Sequence, residues 1–184
     1  MAYQFRNDDG MYITPSLLSG LPNAQANKSI SFWFLYTSIP GTDSGMVVLD
    51  HGSGTRTFCG IRSGNIGVYR GDETALVEVT APVANAWHHF LYTYDGTTHR
   101  LSIDGATPTT DTTSTDTGTE DYISSSSQQD EQYSGYIDDI RIFDRKLDQS
   151  EANLIYAARG RDGVVYGQLV RMALLDGSDF VTAW

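Results

Sequence analysis

The chain has 184 residues, enough for one domain with a buried core and short for two. Lysine and arginine total 12 against 23 aspartates and glutamates, a net charge of -11 that repels a phosphate backbone and argues against a nucleic-acid partner. No run of 18 or more apolar residues occurs, the single cysteine Cys59 excludes an internal disulfide, and the start MAYQFRNDDG lacks a secretory layout, so the sequence reads as made in the cytoplasm without a membrane span.

In chain order, short apolar alternations separated by Gly, Ser, Thr and Asp predict strands near residues 3–5, 12–14, 29–36, 46–50, 57–62, 65–70, 76–79, 88–94, 99–103, 122–125 and 136–143. Eleven short strands with a single helix predict an all-β fold of two packed antiparallel sheets. Ser63-Gly64-Asn65 and Arg70-Gly71-Asp72 are turn punctuation, and Asp95-Gly96 supplies the positive φ of a tight hairpin between residues 88–94 and 99–103. Residues 107–132 are a Thr/Ser/Asp/Gln tract with little to bury, read as an exposed loop pinned midway by Tyr122 and Ile123.

The helix is signalled by Asp148 at the N-cap with Glu151 three residues on, by Leu147 placed to staple against Ala152, and by Gly160 as a C-terminal stop. After it, residues 161–184 form a tail rich in Val, Leu, Met, Phe and Trp. It reads either as a strand closing the same sandwich or as an assembly arm that packs on a neighbouring subunit.

Strand parity separates core from surface. In residues 88–94 the aromatic set Phe90, Tyr92 and Tyr94 points inward, leaving Trp87, His89, Leu91 and Thr93 outside. In residues 29–36 Ile30, Phe32 and Phe34 point inward and Ser31, Trp33 and Leu35 outward. The same alternation drives Tyr136, Asp138, Ile140 and Ile142 inward and Asp139 to solvent. A carboxylate so placed needs hydrogen bonds, an arginine such as Arg141 or Arg145, or a cation.

Two phrases, WHHFLYTYDGTTHRLSIDG from Trp87 to Gly105 and YSGYIDDIRIFDRKLDQSEANLIY from Tyr133 to Tyr156, resemble the laminin-G-like jelly rolls of the concanavalin A-like lectin/glucanase superfamily. The resemblance covers most of residues 1–160 and implies a two-sheet antiparallel jelly-roll sandwich with one short helix near its C-terminal end. It also implies a structural calcium at Asp138, with Asp8 and Asp9 in the segment that would approach it, since a hard cation takes a shell of oxygens.

For carbohydrate recognition the candidate contacts are Trp33, Trp87 and His89, with the loops around Asp43 and Asp72. An outward tryptophan either grips the apolar face of a pyranose ring or packs beneath a neighbouring loop, and His89 is equally read as a hydrogen-bonded structural residue. The glucanases of the superfamily carry a Glu-x-Asp-x-x-Glu strand. This chain has none, and its five glutamates, Glu73, Glu78, Glu120, Glu131 and Glu151, fall mostly in loops or at the helix start. The expectation is therefore a non-catalytic module, either a stand-alone glycan binder of cell surfaces or a decoration or adhesion protein in a larger assembly such as a virion, held there through its tail as a homo-oligomer or on a protein partner.

Overall fold

The computed structural model describes residues 3–5, 12–13, 22, 25–37, 44–50, 56–115, 122–124 and 134–158. Twelve strands and one helix lie within them: β1 (Tyr3–Phe5), β2 (Tyr12–Ile13), β3 (Lys28–Tyr36), β4 (Ser44–Asp50), β5 (Arg56–Arg62), β6 (Asn65–Tyr69), β7 (Ala75–Thr80), β8 (His88–Tyr94), β9 (His99–Ile103), β10 (Thr109–Asp111), β11 (Tyr122–Ser124), β12 (Gly135–Phe143) and α1 (Gln149–Ala157). They form two six-stranded antiparallel sheets, ordered β1-β12-β3-β8-β9-β10 and β2-β11-β4-β5-β6-β7. Placing β12 between β1 and β3, and β11 between β2 and β4, requires long crossovers between strands distant in sequence, the wiring of a jelly roll.

The tight turns follow from their residues. Ser63 and Gly64, both at positive φ (48° and 84°), close the two-residue β5–β6 hairpin, where Arg62 faces Asn65. At the β8–β9 hairpin Gly96 has φ 87°, and the Asp95 carboxylate accepts the backbone N–H groups of Thr97 (3.3 Å) and Thr98 (2.9 Å). In the tract read as an exposed loop, Thr109–Asp111 adds an edge strand to β9, with Thr110 opposite Arg100. Three polar residues offer no alternation of hydrophobicity to announce it.

The core lies between the sheets. Ile30, Phe32 and Phe34 of β3, Phe90, Tyr92 and Tyr94 of β8, and Leu101 of β9 meet Val47, Cys59, Ile61, Ile66, Val68 and Val77 of the opposing sheet. Phe32 and Phe90 stack across strands at 4.7 Å. Each such fully buried side chain contributes roughly 1.5–3 kcal/mol of transfer free energy.

β12 departs from simple alternation. Ile137 faces Phe34 and Asp138 faces Trp33, but the register then shifts and Arg141 faces Ser31. The extra residue is a bulge, with Asp139 at φ 51°. Ile137 and Ile142 are therefore both in the core, and Ile140 packs against it. The expectation of an inward Tyr136 and Asp138 is corrected: the bulge places both on the outer face. Asp139, expected in solvent, is instead partly buried in a bidentate pair with Arg141 (2.7 and 2.9 Å).

The helix forms as its start signal dictates. Asp148 accepts the Glu151 backbone N–H at 2.9 Å and Glu151 accepts that of Asp148 at 3.0 Å, satisfying two orphan donors. Arg145 grips the same Glu151 with two hydrogen bonds, at 2.7 and 2.5 Å. Ser29 of β3 anchors the approach to the helix by donating to the Arg145 carbonyl (2.8 Å) and accepting the Leu147 N–H (2.9 Å). Leu147, Ala152 and Ile155 then bury against Leu91 and Phe143, seating α1 on the outer face of the first sheet. Gly160 and the tail 161–184 lie outside the described residues.

Candidate functional site

Antiparallel register sorts the outer face of the first sheet into rows running across β8, β3 and β12. One row is Leu91, Ser31 and Arg141; the next is His89, Trp33 and Asp138. Continuing the register one step past the His88–Phe34 pair sets Trp87 opposite Leu35, which faces Tyr136. Trp33, Trp87 and His89 thus all point outward, as alternation requires.

Helix α1 divides these rows. Tyr156 in its last turn stacks on Trp33 (5.8 Å between ring centroids, 13° between planes) and lies 5.5 Å from His89. Trp33 is left 7% exposed and His89 1%. Both stand under the helix, not on an open surface, so neither presents a ring to a sugar in this conformation.

His89 Nε2 lies 2.9 Å from Ser31 Oγ, while its Nδ1 has no hydrogen-bond partner among the described residues. A buried bare lone pair is cheaper than a buried bare N–H, so the arrangement selects the neutral tautomer with Nε2–H donating to Ser31. Protonation would create an unmatched N–H at Nδ1 in apolar surroundings. Burial accordingly pushes the imidazole down to about 4, with the Asp104 carboxylate opposing the shift and the Arg141 guanidinium adding to it.

Ser31 and His89 are chemically a hydroxyl–imidazole pair, yet no acid among the described residues orients the ring. Asp104 accepts the His89 backbone N–H (2.8 Å) and sits 2.7 Å from Nδ1 of His88, whose Nε2 is 2.9 Å from the Val83 carbonyl. Trp33 and Tyr156 close over the His89 ring. What the pair does here is tie β3 to β8 beneath the helix.

The row beyond the helix is different. Trp87, Leu35 and Tyr136 are each half-buried, and the rings of Trp87 and Tyr136 lie 6.4 Å apart at 50°. They form an apolar platform on three adjacent strands, flanked by Asp138, which follows Tyr136 on the same face. Sequence parity identified Trp87. It sends Tyr136 inward and so misses it, and it places Leu35 outward without a role. The signal available was the apolar character of three outward positions, unusual for a solvated sheet face.

The second sheet offers no comparable platform among the described residues. Its outward aromatics Phe58 and Tyr69 are buried against one another at 5.6 Å, with Tyr69 donating to Glu78 (3.0 Å). Asp72, in the β6–β7 loop, is exposed but held in a bidentate pair with Arg70, at 3.1 and 2.5 Å. Hydrogen bonds from Arg70 and Thr74 bring its carboxyl down to about 2. It stands on the other sheet from Trp87. Asp43 lies outside the described residues.

Asp138 accepts the Asp139 backbone N–H at 2.9 Å. No group of three or more His, Cys, Asp or Glu that could hold a metal ion occurs among the described residues. Calcium takes a shell of several oxygens, backbone carbonyls included, and Asp138 is the one expected ligand that lies among the described residues. Asp8 and Asp9, the other expected ligands, lie outside them.

Three solved structures show the same fold. A Trypanosoma rangeli sialidase in complex with 2,3-difluoro-KDN superposes with TM-score 0.59 at 10% identity, over 74% of this chain and 23% of the sialidase. A heptameric SAP-like pentraxin from Limulus polyphemus gives 0.62 at 11% identity, covering 84% of this chain and 81% of that one. Domain 4 of an extracellular arabinanase from Geobacillus stearothermophilus, in complex with arabinotriose, gives 0.56 at 15% identity, covering 82% and 84%. The chain thus spans about a quarter of the sialidase and most of the pentraxin and of the arabinanase domain. Comparison with curated proteins by sequence gives no match. The sequence model of a laminin-G-type family matches residues 6–153, and the chain belongs to the concanavalin A-like lectin/glucanases superfamily.

Proposed function

We propose that the protein is a non-catalytic carbohydrate-recognition module that holds the apolar face of a sugar on Trp87 and Tyr136. The observation that carries this reading is the half-buried row Trp87–Leu35–Tyr136, left open by α1 on a sheet where the outward aromatics Trp33 and Phe143 are covered by the helix. Aromatic faces with neighbouring polar groups suit a pyranose or furanose, which presents C–H groups on one side and hydroxyls at its rim. The fold supports the reading, because domain 4 of the arabinanase, matched over 84% of its length, was solved with arabinotriose bound.

The test is a fluorescence titration of the full chain with neutral oligosaccharides, arabinotriose and galactose-terminated chains among them. Trp87→Ala should weaken binding on the order of 30-fold, the equivalent of about 2 kcal/mol for a central aromatic anchor. Unchanged affinity in a folded Trp87→Ala variant overturns the assignment.

Service in a larger assembly, as decoration or adhesion on a virion or another particle, is a second role for the same module. It rests on the apolar composition of residues 161–184. Light scattering of the full chain and of a chain ending at residue 160 tests it: an oligomer lost on truncation supports assembly through the tail, and a monomer in both removes it.

A further inference from the structure

Resting on that reading, we propose that the glycan is uncharged, and that the protein discriminates against sialylated, uronic or sulfated sugars. The strongest recognition of an anionic sugar comes from an arginine or lysine whose hydrogen-bonding edge is open to the ligand. Each arginine with a described side chain is instead committed to a carboxylate of its own chain: Arg62 to Glu73, Arg70 to Asp72, Arg100 to Asp95, Arg141 to Asp139 and Arg145 to Glu151. Lys146 lies 3.8 Å from Asp95, and Lys28 is fully buried.

The commitment is local. Four of the five partners lie within six residues of their arginine along the chain, and Glu73 faces Arg62 across the β6–β7 end of its sheet. An incoming carboxylate or sulfate would therefore meet the resident one at every such guanidinium. Like charges so placed are a device for excluding a partner.

Among the described arginines, the one on the platform's own strand is the least exposed. Arg141, on the same face of β12, is bound by both oxygens of Asp139 and its side chain is only 14% exposed. Asp138 stands between that pair and Tyr136 and places a further carboxylate on the platform's face. The whole-chain charge of -11 acts in the same direction at longer range.

The bulge makes a clean test possible. Asp139 sits at φ 51°, a conformation asparagine adopts readily, so Asp139→Asn keeps the backbone while releasing Arg141. The probes are matched pairs on one array and in solution: a galactose-terminated oligosaccharide, its 3′-sialylated form and its 6-sulfated form, with arabinotriose as a second neutral sugar. The wild type should bind a neutral probe and bind its anionic counterpart weaker on the order of tenfold at low salt, the gap narrowing as salt screens the repulsion.

Asp139→Asn should raise the affinity for the anionic form relative to the neutral one. Equal or tighter binding of the anionic form by the wild type overturns the inference while leaving the carbohydrate-binding reading intact. So does a folded Asp139→Asn variant with an unchanged anionic-to-neutral ratio. Failure to bind any sugar overturns the reading and the inference with it.

Discussion

Removing Tyr156 should destabilise the protein far more at neutral pH than at pH 5. The ring is 37% exposed, stacks on Trp33 and covers His89. Truncation to alanine forfeits the buried share of an aromatic side chain and one stacked pair, together about 2 kcal/mol at pH 7. It also admits water to His89.

In the wild type that imidazole titrates near 4 against its usual 6.5. The unfolded chain therefore takes up a proton as pH falls through 6.5, while the folded chain does so only near 4. Stability is full above 6.5, falls with decreasing pH across that window, and levels off below 4. At 1.36 kcal/mol per unit, passing from pH 7 to pH 5 costs the wild type about 2 kcal/mol through His89 alone.

A variant with a hydrated His89 escapes most of that loss, so its deficit relative to wild type should shrink toward zero at pH 5. The depressed His99 is buried elsewhere, stacked on Tyr94 at 4.4 Å, and its contribution cancels between the two proteins. Denaturant titrations followed by fluorescence at both pH values give the four free energies required. A Tyr156→Ala deficit of the same size at pH 7 and pH 5 would refute the argument that the helix keeps His89 neutral.

Three further substitutions, one of them a control, probe how the helix is held over the sheet. Gly105→Ala imposes a side chain at φ 71° and sets a Cβ 2.9 Å from the Tyr156 ring, whereas Gly64→Ala, at φ 84°, meets nothing within 4 Å. Both should lose about 1 kcal/mol from the left-handed backbone, and only Gly105→Ala should lose more and shift the emission of Trp33, as thermal melts and spectra will show. Asp148→Ala removes the N-cap from Glu151 and should cost about 1 kcal/mol by the same melts, with α1 exchanging its amide protons faster while the sheets keep their protection.

Much of this architecture is legible from local chemistry. Alternation in FWF and FLYTY marks β3 and β8 and assigns their inward rings, and Asp148 with Glu151 places the helix start. Legibility fails where a long-range partner or an unmarked conformation decides the outcome. Asp139 takes a positive φ without the glycine that usually announces one, so its bulge is silent and parity carries Tyr136 and Asp138 to the wrong face.

The covering of Trp33 and His89 by Tyr156 joins residues more than 60 positions apart, and no local pattern encodes it. The platform was half visible: Trp87 stands out in sequence, while Tyr136 joins it only once the bulge is known. Burial can also be misread from composition alone, since the outward positions Trp33, Leu91 and Leu35, in three successive rows, are apolar because a helix and a platform lie there.

The most direct measurement is an amide and indole chemical-shift titration of the full chain with a neutral oligosaccharide that binds it. The account predicts shifts concentrated on the Trp87 indole N–H and on the amides of Leu35, Tyr136 and Asp138, with the β5–β6–β7 face unmoved. Shifts centred instead on Asn65, Tyr69 and Glu78, or on the Asp72 loop, would contradict it.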